Sequence, residues 1–298
     1  MYKSGFVAVM GRPNVGKSSL INTFMEQKIA AVSSKPQTTR LRQLGILTLP
    51  NAQVIFEDTP GMHKPHHKLG KWMNELALHT LEEADVTLFV VDASQPPHEE
   101  DVDLAAILST SKAPCLLALN KLDLLGGARS GHLPQSPFQA AFTSLLPEAL
   151  PLQISAVDRR SLEELLLAIL ALLPEHPPYY PADQMTDFFE RAISADLVRE
   201  AALNHLQHEV PHGIAVLIDE YTERGEEGAY IAATLFVERE SQKAIVIGEG
   251  GQMLKKIGSA ARREIEKMSG RRVFLEIRVK VRKNWRNDEK ALKSLGYA

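Results

Sequence analysis

The chain has 298 residues, 44% of them hydrophobic and 24% charged, which suits one large or two medium packed domains and excludes a disordered or fibrous chain. A formal charge of −3 excludes nucleic-acid binding by overall charge. The single Cys115 rules out an intrachain disulfide and a thiolate zinc site.

The first apolar run, Phe6–Met10, predicts a strand, and Ser19–Met25 predicts a helix. Between them stands Gly11-Arg-Pro-Asn-Val-Gly-Lys17-Ser18, the phosphate-binding pattern Gly-x4-Gly-Lys-Ser in the strand–loop–helix setting it needs. Such a loop curls backbone N–H groups around an oligophosphate, and the helix N-terminus adds a favourable field. Gly11, Asn14, Val15, Gly16, Lys17, Ser18 and Ser19 are therefore candidate nucleotide contacts, with Lys17 for the β- and γ-phosphates and Ser18 for Mg²⁺. Strands are next expected at Leu44–Leu49 and Val54–Phe56. Asp58-Thr-Pro-Gly61 follows, a carboxylate for Mg²⁺ and a Gly61 N–H for the γ-phosphate.

A helix over Leu69–Glu83, a strand over Val86–Val91 and a helix over Asp101–Ser109 continue the alternation. The strand Cys115–Leu119 ends in Asn120-Lys-Leu-Asp123. Guanine offers two adjacent donors, N1–H and the 2-amino group, and one carboxylate at Asp123 accepts both; adenine leaves it unpaired, a difference worth roughly 10⁴–10⁵ in discrimination. Asn120 is expected to brace the loop and the Lys121 stem to cover a base face. Gly126–Pro137 reads as a surface loop. Ser155-Ala156 ends the strand Leu152–Ile154, where backbone N–H groups can face guanine O6, and a helix follows over Ser161–Leu173. These motifs lie at strand ends of an α/β fold with a mainly parallel sheet and helices on both faces, where such folds bind ligands. GTP or GDP with Mg²⁺ is the expected cofactor set.

Pro174-Glu-His-Pro-Pro-Tyr-Tyr-Pro181 predicts a stiff linker, dividing a nucleotide domain over 1–173 from a second domain over 186–298, with 174–185 between them. In the second domain a helix is expected over Thr186–Glu209, with strands over Ile214–Tyr221, Tyr230–Val237 and Val273–Val281. Residues 196–242 carry a net −7, whereas 243–293 carry 15 Lys and Arg against 6 Asp and Glu. The near-neutral total thus conceals a basic C-terminal region, the footprint of a nucleic-acid partner. Within it, Gly248-Glu-Gly-Gly251 between Ile245-Val-Ile and Leu254-Lys-Lys-Ile257 resembles the KH loop that clamps about four backbone nucleotides. The element order resembles the α+β type II KH topology, which makes the segment before Gly248 a short helix. Gly248, Gly250, Gly251, Lys255, Lys256, Arg262 and Lys280 are the candidate RNA contacts. Glu249 stands where a phosphate-gripping loop favours a basic or neutral residue, so Lys255, Arg262 and Lys280 are expected to carry more of the grip.

Taken in order, Gly11–Ser18, Thr38-Thr39, Asp58–Gly61, Asn120–Asp123 and Ser155-Ala156 resemble the translation-factor-related GTPases. Within them the whole chain resembles the Era family, including Gln37-Thr-Thr-Arg40 and the closing Lys290-Ala-Leu-Lys-Ser-Leu-Gly-Tyr297. The resemblance implies that Thr39 belongs to switch I and closes on Mg²⁺ and the γ-phosphate; spacing alone does not separate it from Thr38. It implies GTP hydrolysis, with Lys17, Thr39, Asn14 and Gly61 at the reacting phosphate. The resemblance also implies binding to the 3′ end of small-subunit ribosomal RNA and a role in small-subunit assembly, gated by nucleotide state.

Met62 replaces the glutamine that orients water in Ras-like enzymes, so slow hydrolysis is expected. The resemblance implies K⁺ coordination by Asn14, while the residue by itself equally suits a role in shaping the loop. A cytoplasmic monomer is expected, since the longest apolar stretch, Leu165–Leu173, is too short to span a bilayer and no secretory signal is visible. The alternative is a signalling GTPase peripheral to the membrane, whose Lys280–Lys293, with Trp285, Leu292 and Leu295, lies on anionic lipid.

Overall fold

The computed structural model describes residues 1–33, 35, 38–125, 133–225 and 228–297. Gln37 and residues 126–132 of the expected surface loop lie outside the described residues. Contacts divide the chain into two compact units, Met1–Ala30, Thr39–Lys64 and Met73–Asp187 in the first, Ala31–Thr38, Pro65–Trp72 and Phe188–Ala298 in the second.

The elements run, in chain order, β1 (Lys3–Met10), α1 (Lys17–Met25), β2 (Gln43–Leu49), β3 (Ala52–Asp58), α2 (Lys68–Glu83), β4 (Val86–Asp92), α3 (Glu99–Leu108), β5 (Cys115–Asn120), α4 (Gln139–Leu145), β6 (Leu150–Gln153) and α5 (Glu163–Leu172). The six strands form one sheet in the order β2-β3-β1-β4-β5-β6, parallel except for β2, which pairs antiparallel with β3. Strand side chains alternate between faces, so the continuous apolar runs divide between two cores. Val7, Val9, Val54, Phe56, Leu88 and Val90 meet Leu20, Ile21 and Phe24 of α1 and Leu165 and Ile169 of α5. Ala8, Met10, Phe89, Val91, Leu117 and Leu119 meet Ala77 of α2, Leu104 of α3 and Phe142 of α4 on the other face. Phe24 stacks on Phe56 with centroids 4.9 Å apart, a contact worth about 0.5–1.5 kcal/mol beyond its buried area. Cys115 is half-buried, and burial pushes its thiol up to about 12, out of reach of thiolate chemistry at neutral pH.

Residues 174–187 run along the first unit. Gln53, fully buried on β3, accepts the Tyr179 and Tyr180 N–H groups, and Phe6 packs edge-on against Tyr179. The proline-rich segment is therefore held by side chains of the sheet as well as by its own stiffness.

The second unit contains α6 (Glu190–His205), β7 (Ala215–Glu223), β8 (Ala229–Val237), α7 (Glu240–Ile247), α8 (Gln252–Ser269), β9 (Val273–Val281) and α9 (Glu289–Ser294). The strands pair in the order β7-β8-β9, antiparallel then parallel. Ile193, Leu197 and Val198 of α6, Val246 of α7 and Ile257, Ala261 and Ile265 of α8 cover one sheet face, packing on Val216, Ile231, Leu235, Val273 and Val279. α6 begins four residues later than the apolar spacing suggests: Phe189 is its extended N-cap and 85% exposed, not part of the core stripe.

Candidate functional site

In the first unit the candidate residues gather at the C-terminal ends of β1, β3, β5 and β6. The helical bonding of α1 starts with Leu20 N–H to the Gly16 carbonyl, 2.9 Å, so the N–H groups of Lys17, Ser18 and Ser19 are not used within the helix. This is the anion-binding end expected of the loop. The Lys17 ammonium is buried and donates to the carbonyls of Gly11 (2.9 Å) and Arg12 (3.0 Å). Burial pushes its pKa down to about 8, against the pull of Asp58. Gly61 lies against Pro13, and Asn14 is exposed on the loop at φ 65°.

Ser18 Oγ donates to Asp58 Oδ2 (2.7 Å), Thr39 Oγ1 donates to the same oxygen (3.0 Å), and the two hydroxyls are 2.9 Å apart. Three hard oxygens, one of them a buried carboxylate's, form a donor set suited to Mg²⁺. Thr38 Oγ1 instead donates to the Lys35 carbonyl at 2.8 Å, which separates the two threonines that spacing could not.

Asn120, 1% exposed, ties the site together. Its Nδ2 donates to the Val15 carbonyl (2.7 Å) and its Oδ1 accepts the Ala156 N–H (2.8 Å), so one amide joins the phosphate loop to the Ser155-Ala156 turn. Gly16 passes so close that a Cβ there would fall 2.3 Å from Asn120 Nδ2, and its φ of 106° also favours glycine. Asp123 stays exposed, with one oxygen taking the Ser155 Oγ proton at 2.6 Å. The Ser155 and Ala156 N–H groups, expected to face guanine O6, are bonded within the protein in this structure. Both are engaged, with Ser161 Oγ (3.0 Å) and Asn120 Oδ1 respectively, and the turn's contribution is to hold Asp123 and Asn120.

Two residues at this end had no motif to announce them. Asp101, fully buried in the first turn of α3, bonds Arg12 Nε (3.2 Å) and the His98 N–H (3.0 Å), anchoring the phosphate loop to that helix. Asp92, the last residue of β4, receives the Lys121 ammonium at 2.8 Å. A strand-ending carboxylate beside Asn120 was the only available signal for it.

In the second unit Gly248–Gly251 joins α7 to α8, with Gly248, Gly250 and Gly251 at φ 72°, 55° and 79°, a backbone that side chains other than glycine resist. Lys255, Lys256, Arg262 and Arg263 are exposed along α8, opposite its buried Ile257, Ala261 and Ile265. Lys255 and Arg262 lie about two turns apart on one row. Lys280 does not join them. Val279 packs beneath α8, so strand alternation sends Lys280, with Phe274 and Arg278, to the opposite sheet face. Charge had grouped it with the loop; the pleat separates it.

The lipid-facing expectation for the C-terminal segment is also corrected. Trp285, Leu292 and Leu295 are buried, and Trp285 Nε1 donates to the Gly213 carbonyl at 2.9 Å. Their apolar area already belongs to the fold. Among the described residues no helix is long and apolar enough to cross a membrane.

Comparison with known proteins bears on both units. The family described as "50S ribosome-binding GTPase" matches residues 6–121, and the KH domain family matches residues 209–286. GTPase Era of Geobacter metallireducens is 45% identical over 99% of this chain and 98% of its own length. GTPase Era of Carboxydothermus hydrogenoformans is 43% identical over 99% and 98%. Among solved structures, Era in complex with MgGDPNP and nucleotides 1506–1542 of 16S ribosomal RNA superposes with a TM-score of 0.93 at 39% identity, covering 100% of both chains. A point variant of Aquifex aeolicus Era bound to GDP and AlF₄⁻ gives 0.92 at 39% identity, covering 99% of both.

Proposed function

The chain belongs to the Era family of GTPases, and on that premise we propose that it is a cytoplasmic, monomeric switch that hydrolyses GTP to GDP and phosphate. In this reading it binds single-stranded 16S ribosomal RNA near the 3′ end, serves small-subunit assembly, and lets nucleotide state set its hold on RNA. The observation that carries the reading is Asn120 bridging Val15 and Ala156 while Ser155 steadies Asp123. That arrangement pairs a phosphate loop with a guanine-reading carboxylate, in one chain with a glycine loop between two KH helices.

Residues 1–173 supply the nucleotide chemistry in this account and 186–298 the RNA contacts. Gly11, Val15, Gly16 and the first N–H groups of α1 hold the phosphates, and Lys17 turns from its loop carbonyls to the β- and γ-oxygens. Ser18, Thr39 and Asp58 hold Mg²⁺, which supplies positive charge against the charge developing on the phosphates. The Gly61 N–H meets the γ-phosphate as the loop after Asp58 closes. Met62 packs partly into the second core of the first unit and has no group to orient water, which favours slow hydrolysis and leaves room for a monovalent cation. The exposed, left-handed Asn14 is the residue we assign to K⁺.

The test is steady-state GTP hydrolysis with Mg²⁺ in equal K⁺ and Na⁺, with ATP as competitor. Turnover that ATP does not inhibit, faster in K⁺ and losing that advantage in Asn14→Asp, is the expected result. Inhibition by ATP at matched concentration would overturn the guanine reading. Equal rates in both salts would remove Asn14 from the chemistry.

A further inference from the structure

Asp92 and Asn120 are register partners at the ends of the parallel strands β4 and β5. The Asp92 carboxylate therefore sits one strand across from the Asn120–Asp123 loop. It is 4% exposed and collects four donors. Ser94 Oγ (2.6 Å) and the Ser94 N–H (3.2 Å) reach one oxygen, and Gln95 Nε2 (2.9 Å) and Lys121 Nζ (2.8 Å) reach the other. Burial alone would raise its pKa, but the hydrogen bonds from Lys121 and Ser94 and the Lys121 charge hold it below the ordinary carboxylate range. Lys121 is itself unusual, a non-glycine residue at φ 66°. Its stem is stretched between that left-handed backbone and an anchored carboxylate.

We propose that Asp92 is a positioning residue for the purine base, fixing the Lys121 stem as an apolar cover before nucleotide arrives. The proposal rests on reading Asn120–Asp123 as the guanine site. A lysine side chain loses much rotamer freedom when it is immobilised. Where Asp92 has already ordered it in the folded protein, the base meets a preformed surface and that loss no longer opposes binding. The two Ser94 bonds and Gln95 matter because they stop the carboxylate from following Lys121 into solvent. The cover touches a ring face and not the 2-amino group, so it serves GDP and IDP alike. Choice between those bases remains with Asp123.

The discriminating variant is Asp92→Asn, which keeps an acceptor for Ser94 and removes the charge facing Lys121. Binding of GDP and of IDP to the full-length protein is measured by calorimetry, with KM and kcat for GTP and the melting temperature alongside. The expected result is about tenfold weaker binding of both nucleotides, equivalent to ~1.4 kcal/mol, carried by KM with little change in kcat. Asp92→Glu restores part of the loss, and in a Lys121→Ala background Asp92→Asn adds nothing further. Two results would overturn the proposal: GDP affinity within about twofold of the unmodified protein, or an undiminished loss in the Lys121→Ala background. If Asp92→Asn lowers the melting temperature, the Lys121→Ala background decides, since a loss of GDP affinity that persists with no Lys121 stem to position is purely structural and rejects the proposal. Failure of the GTPase reading is separately visible, because the unmodified protein would then bind neither nucleotide.

Discussion

Replacing Asn120 with alanine removes one side chain and strands two backbone groups. The Val15 carbonyl loses its donor at 2.7 Å and the Ala156 N–H its acceptor at 2.8 Å. Val15 is 0% exposed and Ala156 4%, so bulk water does not reach either group without local opening. Two hydrogen bonds at about 1 kcal/mol each, with a further penalty for buried groups left unpaired, put the loss at about 2–5 kcal/mol. At about 2–4 °C per kcal/mol for a chain of this size, melting falls by roughly 4–20 °C. Nucleotide binding falls with it, because the phosphate loop and the base-reading turn lose their common tie. Asn120→Asp is expected to do no better, since it keeps the acceptor for Ala156 but turns a second acceptor toward Val15. Gly16→Ala attacks the same contact from the other side, through the 2.3 Å approach to Asn120 Nδ2. The assays are scanning calorimetry without nucleotide and titration with fluorescent GDP. An Asn120→Ala protein that melts within about 2 °C of the original and binds GDP equally well would refute the reasoning.

Two further outcomes follow from the electrostatics. Lys17, at about 8 without phosphate, is driven upward by bound phosphates, so GDP affinity is full below pH 8 and declines as pH rises toward 9, with proton uptake seen as a buffer-dependent binding enthalpy; a flat profile would contradict it. Lys255→Glu and Arg262→Glu each weaken RNA binding and flatten its salt dependence by about one unit of slope, whereas Lys280→Glu on the opposite sheet face leaves both nearly unchanged. An equal loss from Lys280→Glu would mean that the RNA uses the other face of the sheet.

The nucleotide site was largely legible because its chemistry is local. The phosphate loop, Asp58–Gly61 and Asn120–Asp123 each occupy a few consecutive residues, and each follows an apolar run that announces a strand. What the sequence did not reveal depends on contacts between distant residues. Thr38 and Thr39 look alike in a string, and only packing brings Thr39 to Ser18 and Asp58 while Thr38 bonds Lys35. Asp92 and Asp101 are single carboxylates whose partners lie 29 and 89 residues away. α4 escaped notice because Gln139–Leu145 is short, with Phe142 its buried residue. Trp285 looked like a membrane anchor beside so many lysines, yet its partner Gly213 is 72 residues upstream. Lys280 was grouped with Lys255 and Arg262 by charge, whereas strand alternation puts it on the sheet face opposite α8.

The most direct test of the central claim is RNA affinity in two nucleotide states at one fixed salt concentration. The full-length protein is titrated with a single-stranded 3′-end 16S RNA, and with a scrambled control, in GDP and in a non-hydrolysable GTP analogue. The account predicts tighter, sequence-selective binding in the triphosphate state. Equal affinity in both states would contradict a nucleotide-gated switch, because a ligand without differential affinity shifts no equilibrium.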